Sequence, residues 1–252
     1  MEKYNERMSG HSKWSTIKRQ KGAADIKRGQ AFTKLANAII MAVRAGGGTT
    51  EPASNFKLRL AIDAAKAANM PKDNIERALR RVAGKQEGVV EEIIYEGFGP
   101  GGFAVVVDAV TDNKQRTVSE LKKVFEKHGG RLGTPGASSY QFQQTGLITV
   151  HKDGKTIDEI FLIAADCGAQ EVEEVATEVF IYTKIEDVSA VRDELIKRGL
   201  TVASVELTRK PQSSIVLTDK VTVGRALHFM QDLSELDDVQ KAYANFDIPD
   251  EL

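Results

Sequence analysis

GLITVHKDGKTIDEIFLIAADCGAQEVEEVATEVFIYTKIEDVSAVRDELIKRGLTVASVELT, residues 146–208, carries the pattern that decides the fold. Apolar runs and two-residue alternation predict strands at 147–150, 171–175, 178–183 and 201–207, and the i, i+3, i+4 spacing predicts helices at 157–165 and 188–197. The order is βαββαβ, that of a ferredoxin-like unit, in which two helices cover one face of a four-stranded antiparallel sheet.

On either side of this stretch the pattern is incomplete. A hairpin is predicted from Ile93, Ile94 and Tyr95 across a glycine-rich turn to the run 103–107, followed by a helix with Val118, Leu121, Val124 and Phe125 that Gly129 and Gly130 end. After the βαββαβ unit come a helix at 221–233 and a strand at 239–246. Neither piece closes a two-layer domain alone. The unit therefore reads as inserted into a second, discontinuous ferredoxin-like domain. Nearer the N-terminus, Phe32, Leu35, Ala36, Ile39, Ile40 and Val43 form one helical stripe. Leu58, Ala61, Ile62, Ala65 and Ala68 form a second, and Ile75, Ala78, Leu79 and Val82 a third after Pro71. The expected class is α+β: a small helical domain at 8–83, a discontinuous ferredoxin-like domain at 84–144 plus 211–252, and an inserted one at 145–210.

With 252 residues, 41% hydrophobic and 28% charged, the chain has the composition of a folded multidomain protein. Cys167 is the only cysteine, which excludes an intrachain disulfide framework and a cysteine-rich zinc site. No apolar run is long enough to span a membrane, and the start lacks an apolar leader core, so a cytoplasmic protein without a membrane partner is expected. The net charge of −1 conceals a division. Through Lys85 there are 18 Lys+Arg against 7 Asp+Glu, net +11, and the remainder carries net −12. Such segregation points one end of the chain at a polyanion.

The segment 11–34, HSKWSTIKRQKGAADIKRGQAFTK, concentrates Lys13, Lys18, Arg19, Lys21, Lys27, Arg28 and Lys34 against Asp25, with Trp14 among them. Cations neutralise phosphates and release counterions, and an indole stacks on bases, so this chemistry suits nucleic acid. On an ideal helix these cations point almost all round, which weakens a simple recognition-helix reading. A solvated basic helix with Trp14 in the core is the alternative. A second cluster, Arg59, Lys66, Lys72, Arg77, Arg80 and Arg81, either extends a phosphate-tracking surface or forms a solvated helix face.

Other motifs argue against enzymatic chemistry. Gly97-Phe98-Gly99-Pro100-Gly101-Gly102 is followed by an apolar strand and not by a helix, so it reads as a hairpin turn and not as a phosphate loop. His11, His128, His151 and His228 lack metal-ligand spacing, and no metal or other cofactor is expected. His128 suits a helix C-terminus, Cys167 a core position, and Asp232, Glu235, Asp237 and Asp238 a solvated helix end. The acidic run Glu171, Glu173, Glu174 and Glu178 is expected to face solvent or a basic protein.

Five stretches together resemble one family: 8–14 (MSGHSKW), 27–35 (KRGQAFTKL), 68–78 (ANMPKDNIERA), 95–102 (YEGFGPGG) and 111–113 (TDN). They are similar, in order and across the chain from Met8, to the YebC family of probable transcriptional regulatory proteins. Residues 1–7 precede the usual family start, and Ser9 and Gln30 stand where members often carry Ala and Lys. The resemblance implies a three-domain, non-enzymatic cytoplasmic protein. Members are described as DNA-binding transcriptional regulators, the mitochondrial relative as a translational activator, and some bacterial members look like ribosome-associated factors.

Three functions follow for testing. The first is a DNA-binding transcriptional regulator whose Lys13, Lys18, Arg19, Lys21, Lys27, Arg28, Lys34, Lys72 and Arg77 contact phosphates while Trp14 stacks or anchors. The second is a translation factor on ribosomal or messenger RNA. The third is a small-molecule sensor or enzyme, which lacks any catalytic constellation. Partners would be nucleic acid with the transcription machinery or the ribosome, and without a coiled-coil seam the chain is expected to be a monomer.

Overall fold

The computed structural model describes residues 28–83, 90–175 and 177–249. Their packing divides into two units: 28–139 with 219–244, and 140–218 with 245–249.

The first unit opens with three helices, α1 (Arg28–Ala45), α2 (Phe56–Ala67) and α3 (Lys72–Ala83). Ile39 and Val43 of α1, Leu58, Ile62 and Ala65 of α2, and Ile75 and Ala78 of α3 are buried together, as their stripes require. Val90 and Val110 belong to the same cluster, so this core runs on into the α/β part of the unit. Asn55 joins two helix ends. Its side-chain oxygen accepts the Leu58 amide (3.1 Å), capping α2, while its amide nitrogen donates to the Ala42 carbonyl (2.8 Å) near the end of α1. At the far end of α2 the chain turns through Asn69 at φ 55°, and the Met70 amide returns to the Ala65 carbonyl, the wrap that stops a helix with a left-handed residue.

Strands β1 (Glu91–Phe98), β2 (Ala104–Thr111), β3 (Arg131–Leu132) and a strand from the far end of the chain, Val239–Ala244, form an antiparallel sheet. In this sheet β3 pairs with β1, β1 with β2, and β2 with the distant strand. Helices α4 (Lys114–Lys127) and Lys220–Glu235 complete the unit. Phe125 and Phe229 meet edge to face across these helices at 4.9 Å, and Phe103 of the hairpin loop joins them at 6.1 Å from Phe229. The expected hairpin is present, and its loop depends on small residues: a Cβ on Gly99 would lie 2.2 Å from the Phe103 ring. The two-layer plan is as expected, but the element order here is ββα, β, then α and β, with the hairpin strands at the sheet centre.

Glu96 is the buried acid of this sheet. Its carboxylate accepts the amides of Gly136, Ser138 and Ser139, each at 2.7 Å. Burial by itself would raise its pKa, but the three amides offset that and hold the carboxyl below its ordinary value.

The second unit is the βαββαβ stretch: β4 (Phe142–His151), α5 (Ile157–Asp166), β5 (Glu171–Val175), β6 (Glu178–Thr183), α6 (Val188–Lys197) and β7 (Val202–Pro211). The sheet order β5-β6-β4-β7, antiparallel throughout, is the ferredoxin-like arrangement. Thr156 and Glu159 form a capping box at the start of α5. Phe142 pairs directly with Pro211, so the two ends of the stretch lie side by side. A short parallel pair, β8 (Ile215–Val216) with β10 (Phe246–Asp247), closes the unit, stitched by Asn245 to Gln141 (2.9 Å) and to the Ser213 carbonyl (3.1 Å). The remaining elements of the first unit are α7 (Lys220–Glu235) and β9 (Val239–Ala244).

Glu96→Gln should lower stability by about 1–3 kcal/mol, because an amide group placed among three N–H donors leaves a buried polar group mismatched. The wild-type contribution belongs to the carboxylate, whose folded pKa is depressed. It is therefore present above the ordinary glutamate value of 4.5 and lost as pH falls through the lower folded value. Urea midpoints across an acid pH series should show wild type and variant converging at low pH; a constant gap would show that ionisation of Glu96 contributes nothing. Asn69→Val should lower the thermal midpoint through ~1–2 kcal/mol of left-handed strain, with Asn69→Gly at least as stable as wild type.

Candidate nucleic-acid interface

Lys13, Trp14, Lys18, Arg19, Lys21 and Lys27 lie outside the described residues, and Arg28 is described by its backbone alone, as the first residue of α1. The structure places Lys34, Lys72 and Arg77. Lys34 is half-buried, and its ammonium donates to the Ser234 carbonyl at 2.5 Å. One turn earlier, the Gln30 side chain donates to Asp237 at 2.9 Å. These two bonds fix the start of α1.

Lys72 and Arg77 stand on the exposed side of α3, whose opposite side buries Ile75 and Ala78. Helical spacing sets Arg81 one turn beyond Arg77, and both are exposed. Glu76 is shared between Lys72 (3.6 Å) and Arg80 (3.9 Å), pairs so exposed that each contributes at most about 1 kcal/mol. Arg77, Arg81 and the exposed Lys66 of α2 have no ion-pair partner among the described residues. Three further cations of this region are held by the fold. Arg44 donates to the Val90 carbonyl, Arg59 to the carbonyls of Pro52 and Ala53 (both 3.3 Å), and Lys34 as above. The second basic cluster is thus partly surface and partly scaffold, and Arg59 belongs to the scaffold.

Of the carboxylates at the end of α7, Glu235 and Asp237 are exposed, as a solvated helix end requires, but Asp232 is half-buried and Asp238 buried. Asp238 is 8% exposed and accepts from Thr117 Oγ1 (2.7 Å), Thr111 Oγ1 (3.1 Å) and the Arg116 guanidinium (2.9 Å). Asp232 binds Lys127 (2.7 Å) and His128 Nε2 (2.8 Å), and these two partners, working against its burial, hold its pKa below the ordinary value. A cleft of about 430 Å³ lies beside this network, lined by Gln30, Arg116, Glu120 and residues 235–238. In the second unit Lys210 lies over the Tyr182 ring (4.1 Å) between Glu171 (2.5 Å) and Glu173 (2.9 Å), and Lys152 pairs with Glu174. Burial raises the pKa of Glu173 against the pull of Lys210. The acidic run is therefore largely partnered within its own unit. Cys167 caps α5 and is half-buried, not a core residue, and burial raises its thiol pKa, which disfavours the nucleophilic thiolate.

Sequence reasoning missed Asn55, Glu96 and Asp238 as structural centres, because their partners lie up to 127 residues away and leave no local periodicity. Among the described residues no group of three His, Cys, Asp or Glu could hold a metal ion, and no helix is long and apolar enough to cross a membrane.

Two family models match the chain. The TACO1/YebC protein N-terminal domain matches residues 12–85, and the TACO1/YebC second and third domain matches residues 90–246. A relative from Syntrophobacter fumaroxidans, named "Probable transcriptional regulatory protein", is 46% identical over 97% of this chain and 98% of its own. One of the same name from Herpetosiphon aurantiacus is 47% identical over 97% of both. The crystal structure of a conserved hypothetical protein from Aquifex aeolicus superposes with a TM-score of 0.83 at 43% identity, covering 90% of this chain and 93% of that one. With both models matched in order and relatives of this identity over nearly the full length, the chain belongs to the TACO1/YebC family.

Proposed function

We propose that this chain is a DNA-binding regulator of transcription, cytoplasmic, monomeric and without enzymatic activity, that grips nucleic acid through its basic N-terminal part. The observation that carries the reading is the exposed cationic face of α3, with Arg77 and Arg81 lacking an ion-pair partner among the described residues, in the same region of the sequence as the basic segment ahead of α1. Relatives named probable transcriptional regulatory proteins support the direction. Lys13, Lys18, Arg19, Lys21, Lys27, Arg28, Lys72 and Arg77 contact phosphates in this proposal, and Trp14 stacks or anchors. Lys34 instead anchors the start of α1 on the Ser234 carbonyl. These contacts position the protein on a phosphate backbone and carry no sequence readout. The working organisation is three domains: 8–83 binding, with 84–144 plus 211–252 and the inserted 145–210 available to the transcription machinery.

Fluorescence anisotropy with matched duplex DNA and structured RNA across a salt series, alongside ribosome co-sedimentation, tests the reading. Tight, sequence-dependent DNA binding without ribosome association is expected. Weak, indifferent DNA binding with salt-resistant ribosome association would replace it with an RNA-directed role in translation. Changing Lys18, Arg19 and Lys21 together to Ala should weaken binding to all sequences alike and reduce the log–log salt slope by up to ~3 units, with helical circular dichroism retained. Arg77→Ala with Arg81→Ala should reduce the slope by up to ~2 units at unchanged stability. Arg59→Ala should instead lower the thermal midpoint and leave the slope alone; the reverse pattern would remove α3 from the interface.

A further inference from the structure

The outer side of α5 is at odds with a solvated surface. Ile160 and Ala164 face the sheet and are fully buried, yet Phe161 is 51% exposed and Leu162 65% exposed. On a helical projection Phe161, Ala165, Asp158 and Leu162 follow one another around the side away from the core, so neither large side chain turns inward by a small adjustment. Phe161 and Leu162 stand about 100° apart with Ala165 and Asp158 between them, and exposed apolar surface rimmed by polar residues in this way marks a contact site.

Charge decides what fits there. Leu162 lies one turn from Asp158 on one side and from Asp166 on the other, with Glu159 three residues before it. All three acids are exposed, although Asp166 also holds Arg198 at 3.0 Å. Residues 145–210 carry 13 Asp+Glu against 8 Lys+Arg. A nucleic acid or an anionic membrane would be repelled, and a second copy of the chain would set this acidic face against itself.

We propose that the outer face of α5, centred on Phe161 and Leu162 and edged by Asp158 and Asp166, docks a cationic amphipathic segment of a partner protein. The apolar side chains of that segment cover Phe161 and Leu162, and its Lys or Arg side chains meet the flanking carboxylates. This surface is independent of the basic end of the chain, so protein and nucleic-acid partners would be held on opposite-sign parts of one molecule.

The full chain and its Phe161→Ser, Leu162→Ser double variant should be titrated with two labelled synthetic peptides of equal charge: an amphipathic helix of Leu and Lys, and a Gln and Lys control. The wild type should bind the amphipathic peptide about tenfold or more tightly than the control, and the variant should lose that preference while its thermal midpoint is unchanged. Asp158→Lys should weaken both peptides. Equal binding of the two peptides by the wild type, or undiminished binding by the double variant, would overturn the proposal in favour of diffuse charge attraction. Sedimentation showing a wild-type dimer that the double variant abolishes would overturn it in favour of self-association.

Discussion

The Asp238 carboxylate closes the discontinuous part of the fold. Segments separated by more than 120 residues meet at this group: Thr111, Arg116 and Thr117 before the βαββαβ stretch, and the turn into β9 after it. The backbone joins in, with the Val110 amide on the Asp238 carbonyl at 2.8 Å. A buried carboxylate without these donors would be strongly unfavourable, so the sheet can add β9 only if α4 and the end of β2 are in place. The dependence is mutual, because Asn113 both caps α4 and donates its amide to Thr111 Oγ1, the hydroxyl that faces Asp238. The intervening sequence can be long because the ends of its βαββαβ stretch are already together. Phe142 and Pro211 share one rung of the β4–β7 ladder, and loop-closure entropy grows slowly with length in any case.

Hydrogen bonding and sterics within the fold account for two of the motifs behind the family resemblance. Thr111-Asp112-Asn113 is the cap and donor set just described. Tyr95-Glu96-Gly97-Phe98-Gly99 combines the buried Glu96 with glycines that admit neighbours. A Cβ on Gly97 would lie 2.5 Å from the Arg131 carbonyl and 2.6 Å from the Phe125 ring. These positions are demanding for steric and hydrogen-bonding reasons that lie within the fold.

This accounts for what the sequence disclosed. Periodicity is a local signal. The βαββαβ order, the hairpin and the three helices were all legible because each is declared by residues within a few positions of one another. The buried polar centres were not. Nothing around Asn55 shows that its amide reaches back to Ala42 at the end of the preceding helix, and nothing around Asp238 shows that Arg116 will meet it. Asp232 and Asp238 looked like part of a charged helix end because their partners stand on other elements. Of the ten residues expected to contact nucleic acid, only Lys34, Lys72 and Arg77 have described side chains, and Lys34 faces the Ser234 carbonyl.

Ion pairing decides where on each part the net charge is expressed. Behind α3 most of the acidic residues singled out by the sequence have a cation within their own unit: Glu171 and Glu173 share Lys210, Glu174 has Lys152, and Asp232 has Lys127 and His128. In the helical part Arg44 and Arg59 are likewise held by backbone carbonyls, but carbonyls leave the positive charge uncancelled. Arg77, Arg81 and Lys66 have no ion-pair partner at all among the described residues. Paired charges decay as short-range dipoles, whereas unpaired ones act out to the Debye length of about 8–10 Å at physiological salt. Pairing leaves the net +11 and −12 of the two parts unchanged, since the partnered cations are already counted in them, but it concentrates the positive excess at sites such as Arg77, Arg81 and Lys66, and electrostatic steering turns that end toward a polyanion.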